Sequence, residues 1–318
     1  MSETGDAQPA LVQTEALSKF YGTRRGIEAL DLQIGRGEIF ALLGPNGAGK
    51  TTTLRLLLGF LRPTAGRATI DGLDCWRQRH EILRGVGYVT GHVRLYEHMR
   101  ADRLIRLINN LHGGDRLHQA YYIAERLRLD PTLKIRKYSR GNKQKLAIVL
   151  AMMHAPQLLV FDEPTISLDP IIADEVHHLL REAREDGATV LFSSHVLAEV
   201  EKICDRVGVL REGRLIATQR TEDFRRQHLQ RLIVTFAAEP ADCPPQVGLR
   251  MVRRVNRHRI EYAVAGEVTA ALGWLTGQNV ANVEITWPRM EEVFLSYYRD
   301  EANAVPISTA PTDEGDAA

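Results

Sequence analysis

The chain reads as an α/β protein built on a parallel β-sheet. Three short apolar runs predict this: Ile39-Phe40-Ala41-Leu42-Leu43, Leu158-Leu159-Val160-Phe161 and Thr189-Val190-Leu191-Phe192. Each is continuously apolar rather than alternating, as expected of strands buried on both faces. Each also leads through a polar or glycine-rich turn into a helical pattern, which is the order of a parallel core.

The other elements follow along the chain. Residues 1–10 are polar and acidic and read as a tail. LVQTEALSKFYG and IEALDLQIG alternate apolar and polar residues, so they are expected as antiparallel strands laid on one edge of the core. From about Arg100 to Met153 the period changes to that of a helix. Leu104, Ile105, Leu107, Ile108 and Leu111 form one apolar stripe, and Ile123 and Leu127 suggest another. This segment, about 92–153, is expected as a helical insertion. TEDFRRQHLQR then reads as a charged linker. RLIVTFAAEP, the stretch around RHRIEYAVAG, and VANVEITWP are expected as strands, with helices over Glu267 to Leu275 and Arg289 to Tyr298. These make a small α+β domain over 230–300. Residues 301–318 lack large apolar clusters and read as a second tail.

Composition narrows the function classes. Lys and Arg number 41 against 40 Asp and Glu, so no overall field draws the chain to nucleic acid or anionic lipid, and neither is expected unless a local patch provides it. Cys75, Cys204 and Cys243 are far apart and form no C-x-x-C pair, which argues against a disulfide framework or a zinc site. No apolar run approaches the length of a membrane span. MSETGDAQPA lacks the basic and then apolar order of a secretion signal. A cytoplasmic chain is expected, and a membrane role would come through a separate chain.

The chemistry begins at GPNGAGKT, Gly44 to Thr51, which fits G-x-x-x-x-G-K-[ST] between an apolar strand and a helix opening at Thr52. Gly44, Gly47 and Gly49 let the backbone, with Pro45, Asn46 and Ala48 between them, wrap closely around phosphate. The helix N-terminus adds favourable partial charge for an anion. Lys50 can reach the β- and γ-phosphates, and the Thr51 hydroxyl can ligate Mg²⁺. LLVFDEP then ends a buried strand in Asp162, a candidate for the Mg²⁺ shell, with Glu163 placed to polarise an attacking water. Asp-Glu after a strand is by itself often a solvated turn; the phosphate loop is what gives it meaning. SSH, Ser193 to His195, ends a third strand on the rim where α/β sheets bind ligands, so His195 could donate to a γ-phosphate oxygen. The last segment is YSRGNKQKL, 138–146, in which small and polar residues open an apolar helix.

GPNGAGKT, YSRGNKQKL, LLVFDEPT, ISLDP and SSH, in this order, resemble the nucleotide-binding subunit of an ATP-binding cassette (ABC) transporter over about 11–220. The resemblance implies a P-loop NTPase core with an antiparallel β subdomain and a helical insertion, binding ATP with Mg²⁺ and hydrolysing it. It implies that Tyr21 stacks on adenine, that Ser139, Gly141 and Asn142 act as the signature sequence, and that Asp169 touches an opposite subunit. Two such domains, a homodimer or a pair of paralogues, would stack head to tail around two ATP. The end of the chain, MEEVFLSYYR, is similar to the accessory domain of subunits serving ABC-2 exporters, whose membrane permease is a separate chain. The resemblance thus implies a peripheral location at the inner face of the cell membrane.

The sequence departs from the family at two places. The loop after VGYV carries Gly91 and His92 where a Gln or Glu is usual, so either His92 substitutes, water fills the place, or coupling differs. Arg140 replaces a usual glycine and could add charge near a phosphate or point away. A competing class is a soluble ABC ATPase acting on nucleic acid or the ribosome. Such chains usually carry coiled coils, zinc modules or two cassettes, and this one has a single phosphate loop, no sustained heptads and no cysteine pairs.

Overall fold

In the computed structural model of the chain, residues 10–226, 230–238, 240, 247–265 and 268–286 are described. The expected helix over Arg289 to Tyr298, Glu267, Cys243, the 301–318 tail and all but the last residue of the 1–10 tail lie outside them. The chain divides into two compact units, Met1–Phe224 and Arg225–Ala318.

The first unit is built from β1 (Val12–Tyr21), β2 (Arg24–Ile34), β3 (Ile39–Leu43), α1 (Lys50–Leu57), β4 (Ala65–Ile70), β5 (Leu73–Asp74), α2 (Arg79–Ile82) and β6 (Val86–Val89). It continues with α3 (Ala101–Leu111), α4 (Leu117–Arg126), α5 (Arg140–Met152), β7 (Leu158–Asp162), α6 (Pro170–Glu185) and β8 (Thr189–Ser194). It closes with α7 (Leu197–Ile203), β9 (Arg206–Arg211) and β10 (Arg214–Arg220), and α8 (Thr221–Arg226) begins in its last residues.

A six-stranded sheet in the order β10-β9-β3-β8-β7-β6 forms the core. β3 pairs in parallel with β8 and β9, β7 with β6 and β8, and only β10 runs antiparallel, against β9. Every residue of β3, β7 and β8 is buried, which is why these strands read as unbroken apolar runs. Because the five parallel strands point one way, the turns after β3, β6, β7 and β8 all open on a single rim.

Two expectations change. β1 and β2 are antiparallel but do not lie on an edge of the core sheet. They form a second sheet in the order β2-β1-β4-β5, while β10 and β6 hold the two edges of the core. The apolar side of this second sheet, including Leu17, Ile27, Leu30 and Leu32, joins Leu54 and Leu57 of α1 and Phe40 of β3 in one hydrophobic cluster. A sheet that buries one face this way alternates along its strands, which is the pattern seen in the sequence. The apolar stripe of α3 is also narrower than its spacing implies: Leu104 and Ile105 are buried, but Leu107 and Leu111 are exposed. α3 packs against α4 and α5, and its outward leucines stay open to solvent.

The start of the charged linker is ordered as α8. Thr221 anchors it by donating its N–H to the Asp205 carbonyl and its hydroxyl to the Cys204 carbonyl at 2.8 Å.

The second unit contains β11 (Arg231–Phe236), β12 (Leu249–Arg254), β13 (Arg259–Val264), α9 (Val268–Thr276) and β14 (Val280–Thr286). Its antiparallel sheet has the order β12-β13-β11-β14, and Leu232, Val234, Ile260 and Tyr262 pack with Ala271 and Leu275 of α9. β12 was not anticipated, because its burial pattern has one buried residue followed by five exposed ones and so carries no alternation.

Two histidines, His177 buried and His154 partly buried, make the first unit acid-sensitive. Burial first, then the positive charge of Lys202, pushes His177 of α6 down to about 4. Burial first, then the ring of His112 stacked on it at 4.1 Å, pushes His154 down to about 4 as well. A lowered histidine value means the unfolded chain binds the proton more readily. Stability is therefore full above the unfolded value near 6.5 and is lost as pH falls from there toward about 4. Each histidine contributes a slope of at most about 1.4 kcal/mol per pH unit in that window. Thermal melts across the window should show Tm falling with pH, and His177→Asn should flatten the fall.

Candidate active site

The rim of the core sheet gathers the motifs. After β3, the loop Gly44 to Gly49 turns into α1 with Gly47 at φ +85° and Gly49 at φ +111°, a region that side chains other than glycine's rarely adopt. A Cβ on Gly49 would lie 2.7 Å from Ile27 Cγ2, and one on Gly44 would lie 2.6 Å from the Leu210 carbonyl oxygen. The loop is therefore fixed by what packs behind it. Lys50 is 5% exposed and donates to the carbonyls of Gly44 (2.6 Å) and Pro45 (3.3 Å). Burial lowers its pKa, and the Glu163 carboxylate at 3.6 Å acts in the opposite direction.

β7 delivers the two carboxylates into different surroundings. Asp162 accepts from the Thr51 hydroxyl at 2.9 Å through one oxygen and from the Ser193 hydroxyl at 2.6 Å through the other. It is thereby locked between α1 and β8, directly opposite Ser193 in the parallel register. Glu163 sits at φ +51°, a strained conformation for a side-chain-bearing residue, and its N–H points to both the carbonyl and the hydroxyl oxygen of Ser193 at 3.2 Å. That turn swings the Glu163 carboxylate away from Asp162 and toward Lys50 and His195, whose Nδ1 is 3.3 Å from Oε1.

A cleft of about 540 Å³ lies over the loop. Tyr21, Pro45, Asn46, Gly47, Gly49, Lys50, Thr51, Thr52 and Glu163 line it, and Ala48 is tucked beneath. Tyr21 is half-exposed at the cleft's outer end, where Gly26 leaves room for its ring: a Cβ there would lie 2.8 Å from Tyr21 Cε2. Three lining cations escaped sequence reasoning: Arg24, Arg25 and Arg55. Arg55 was within reach, because it stands four residues after Thr51 on the same face of α1. Arg24 and Arg25 carried no signal, since only the pairing of β1 with β2 turns them into the cleft. Ser193, which donates its hydroxyl to the Asp162 carboxylate and accepts the Glu163 backbone N–H, stands in the SSH motif, where the sequence gives it no role of its own.

Ser139, Gly141, Asn142 and Asp169 are not among the residues lining this cleft. Ser139 caps α5 by accepting from the Asn142 N–H at 3.2 Å, an interaction worth about 1 kcal/mol. Asp169 caps α6 by accepting from the Ile172 N–H at 3.0 Å, and that bond holds its carboxyl below the usual range. The two caps are neighbours, because a Cβ on Gly141 would lie 2.8 Å from the Ser167 carbonyl oxygen. Gln144, buried on α5, donates to the Pro164 carbonyl at 3.0 Å and ties the same helix to the carboxylate turn.

Gly91 follows β6 on the same rim, and a Cβ there would lie 3.2 Å from the Asp162 carbonyl oxygen and 4.0 Å from Oδ2. The position usually filled by Gln or Glu thus faces Asp162 with no side chain. Gly91 and His92 together line, with Arg94, Arg140, Lys143 and Gln144, a cleft of about 390 Å³ distinct from the one over the phosphate loop. Arg140, exposed, borders that cleft of its own chain and not the one over the phosphate loop.

A parallel sheet with a phosphate loop on its rim, a strand-end Asp locked to the loop's Thr, and an adjacent Glu beside a His define a P-loop nucleotide hydrolase of the ATP-binding cassette class. The ABC transporter family model matches residues 27–166. The bacitracin transport ATP-binding protein BcrA of Bacillus licheniformis is 36% identical over 209 residues, 65% of this chain and 68% of that protein. The daunorubicin resistance ATP-binding protein DrrA2 of Streptomyces coeruleorubidus is 32% identical over 309 residues, 89% of this chain and 94% of that one. Among solved structures, an ATP-binding subunit of an ABC transporter superposes with a TM-score of 0.64 at 31% identity, over 68% of this chain and 92% of that one. The chain belongs to the ABC transporter family, as one of its ATP-binding subunits, and it is an ATPase. Among the described residues no helix is long and apolar enough to cross a membrane.

Proposed function

We propose that this chain powers export through a separate membrane permease by closing on ATP as a dimer, with itself or with a paralogue. Residues 11–220 form the ATPase unit, with a helical subdomain over about 92–153, and residues 230–300 form an accessory domain. Each ATP lies between the Gly44–Thr51 loop of one subunit and Ser139, Gly141 and Asn142 of the other. Tyr21 stacks on the adenine, and Asp169 reaches across the interface.

The observation that carries this reading is the separation of the two motifs within one chain. The phosphate cleft is lined without the capped N-terminus of α5, yet that terminus has the hydroxyl, N–H groups and partial positive charge suited to a phosphate. A second copy supplies what the first cleft lacks.

Within the site, Lys50 and the loop N–H groups neutralise and orient the phosphates. Glu163 polarises the attacking water, and His195 donates toward the γ-phosphate while holding Glu163 in place. The Thr51 hydroxyl and the Asp162 carboxylate, 2.9 Å apart, are hard oxygen donors that fit Mg²⁺, and Gly91 adds none. When bound, Mg²⁺ supplies charge neutralisation at the phosphates.

We read the permease contact onto a groove of about 280 Å³ between β6, α3 and α5, whose apolar border of Tyr88, Val93, Ile108 and Leu150 supports that reading. Closure and reopening of the dimer would be transmitted there, at the inner face of the cell membrane. The names of the relatives support export: bacitracin transport for one and daunorubicin resistance for another.

The test is the dependence of rate on protein concentration. With shared sites, ATPase activity should rise more steeply than linearly with protein concentration while dimers are scarce. Strict proportionality throughout that range would refute the shared site.

A further inference from the structure

The near-zero net charge of the chain conceals a local concentration of arginine in the second unit. β12 and the turn after it read RMVRRVNRHR, Arg250 to Arg259, and residues 250–258 are all exposed. β12 stands last in its sheet, so the run forms one edge of the unit. Its turn is a built structure: the Asn256 side-chain oxygen accepts from the N–H groups of His258 (2.9 Å) and Arg259 (2.8 Å). Arg253 is bound to Glu261 at 2.7 Å and Arg259 to Glu284 at 3.4 Å, but among the described residues Arg250 and Arg257 have no acidic partner. Interleaved with these cations, Met251 is 56% exposed, Val252 43% and Val255 50%.

We infer that this edge is a docking surface for an anionic lipid bilayer. Arginines at the surface attract the anionic headgroups, and the apolar side chains between them enter the boundary between headgroups and acyl chains. Nucleic acid fits less well: its phosphates would engage the arginines, but exposed Met and Val gain nothing from a phosphate backbone. Pairing with a partner's strand fits less well too. A bulge between Met251 and Arg253 and the density of like charge both spoil the edge for regular pairing. The choice of a lipid surface rests on the reading that the chain works beside a membrane permease.

The test is flotation of the full chain with vesicles of phosphatidylcholine and phosphatidylglycerol in equal parts, against vesicles of phosphatidylcholine alone. The chain should float only with the anionic vesicles and be released by high salt. Arg250→Gln with Arg257→Gln should weaken partitioning about twenty-five-fold, taking about five-fold for each arginine near an anionic surface. Met251→Ser with Val255→Ser should also weaken it while leaving the salt dependence unchanged. ATP hydrolysis in solution should be the same in both double variants, which shows that the chain still folds. Equal flotation with both vesicle types, no flotation, or an unaffected arginine variant would overturn the proposal. So would retention on a duplex oligonucleotide in place of the vesicles. Strict proportionality of hydrolysis to protein concentration in the unsubstituted chain would strike the dimer reading instead, because that assay contains no lipid.

Discussion

Glu163→Gln lowers the steady-state ATPase rate by about two to four orders of magnitude, the range expected for loss of a general base. ATP affinity stays close to that of the unsubstituted chain, and a dimer accumulates when ATP is present. Gln keeps the size of the side chain and the turn that presents it: the backbone at φ +51° is held by its N–H bonds to Ser193, which the substitution leaves alone. The amide can still meet Lys50 and His195, but it cannot accept a proton from water. The dimer therefore closes and has no route to reopening through hydrolysis. Rate measurements and size-exclusion chromatography with light scattering check both halves. A variant that stayed monomeric with ATP and hydrolysed it normally would remove Glu163 from the mechanism.

Lys50→Ala weakens ATP binding by about two to three orders of magnitude, because truncating one member of a buried charge pair costs roughly 2–5 kcal/mol. Lys50 is almost wholly buried and its ammonium is held by the carbonyls of Gly44 and Pro45, so no other side chain of the loop can take its place against the phosphates. The fold itself survives, since Glu163 retains His195 and remains partly open to water. Titration calorimetry, together with loss of the ATP-induced rise in Tm, gives the readout. Unchanged affinity would show that the loop N–H groups alone hold the nucleotide.

How much was legible beforehand differs from element to element. The core strands were readable because burial on both faces leaves no polar position in Ile39–Leu43 or Leu158–Phe161. β12 was not, since an exposed edge strand places no periodic demand on its residues. The buried stripe of α3 is narrower than its spacing suggests, because spacing reports which residues share a face, not whether a neighbouring helix covers that face. For the same reason Arg24 and Arg25 could not be foreseen beside the phosphate loop; strand pairing brings them there across the first unit.

The sequence by itself determined the chemistry: a glycine-rich loop with Lys50 and Thr51, two consecutive carboxylates after a buried strand, and a small polar collar before an apolar helix. These are local, because each depends on residue type and spacing within a few positions. Only the tertiary structure decided how the groups divide their work. Asp162 and Glu163 are adjacent in the chain, yet one is locked between Thr51 and Ser193 and the other is turned toward Lys50 and His195. The cause is the parallel register that sets Asp162 opposite Ser193, followed by one residue of left-handed backbone. Neither the register nor the backbone angle is a property of the residues alone; both come from packing three strands, distant in sequence, side by side.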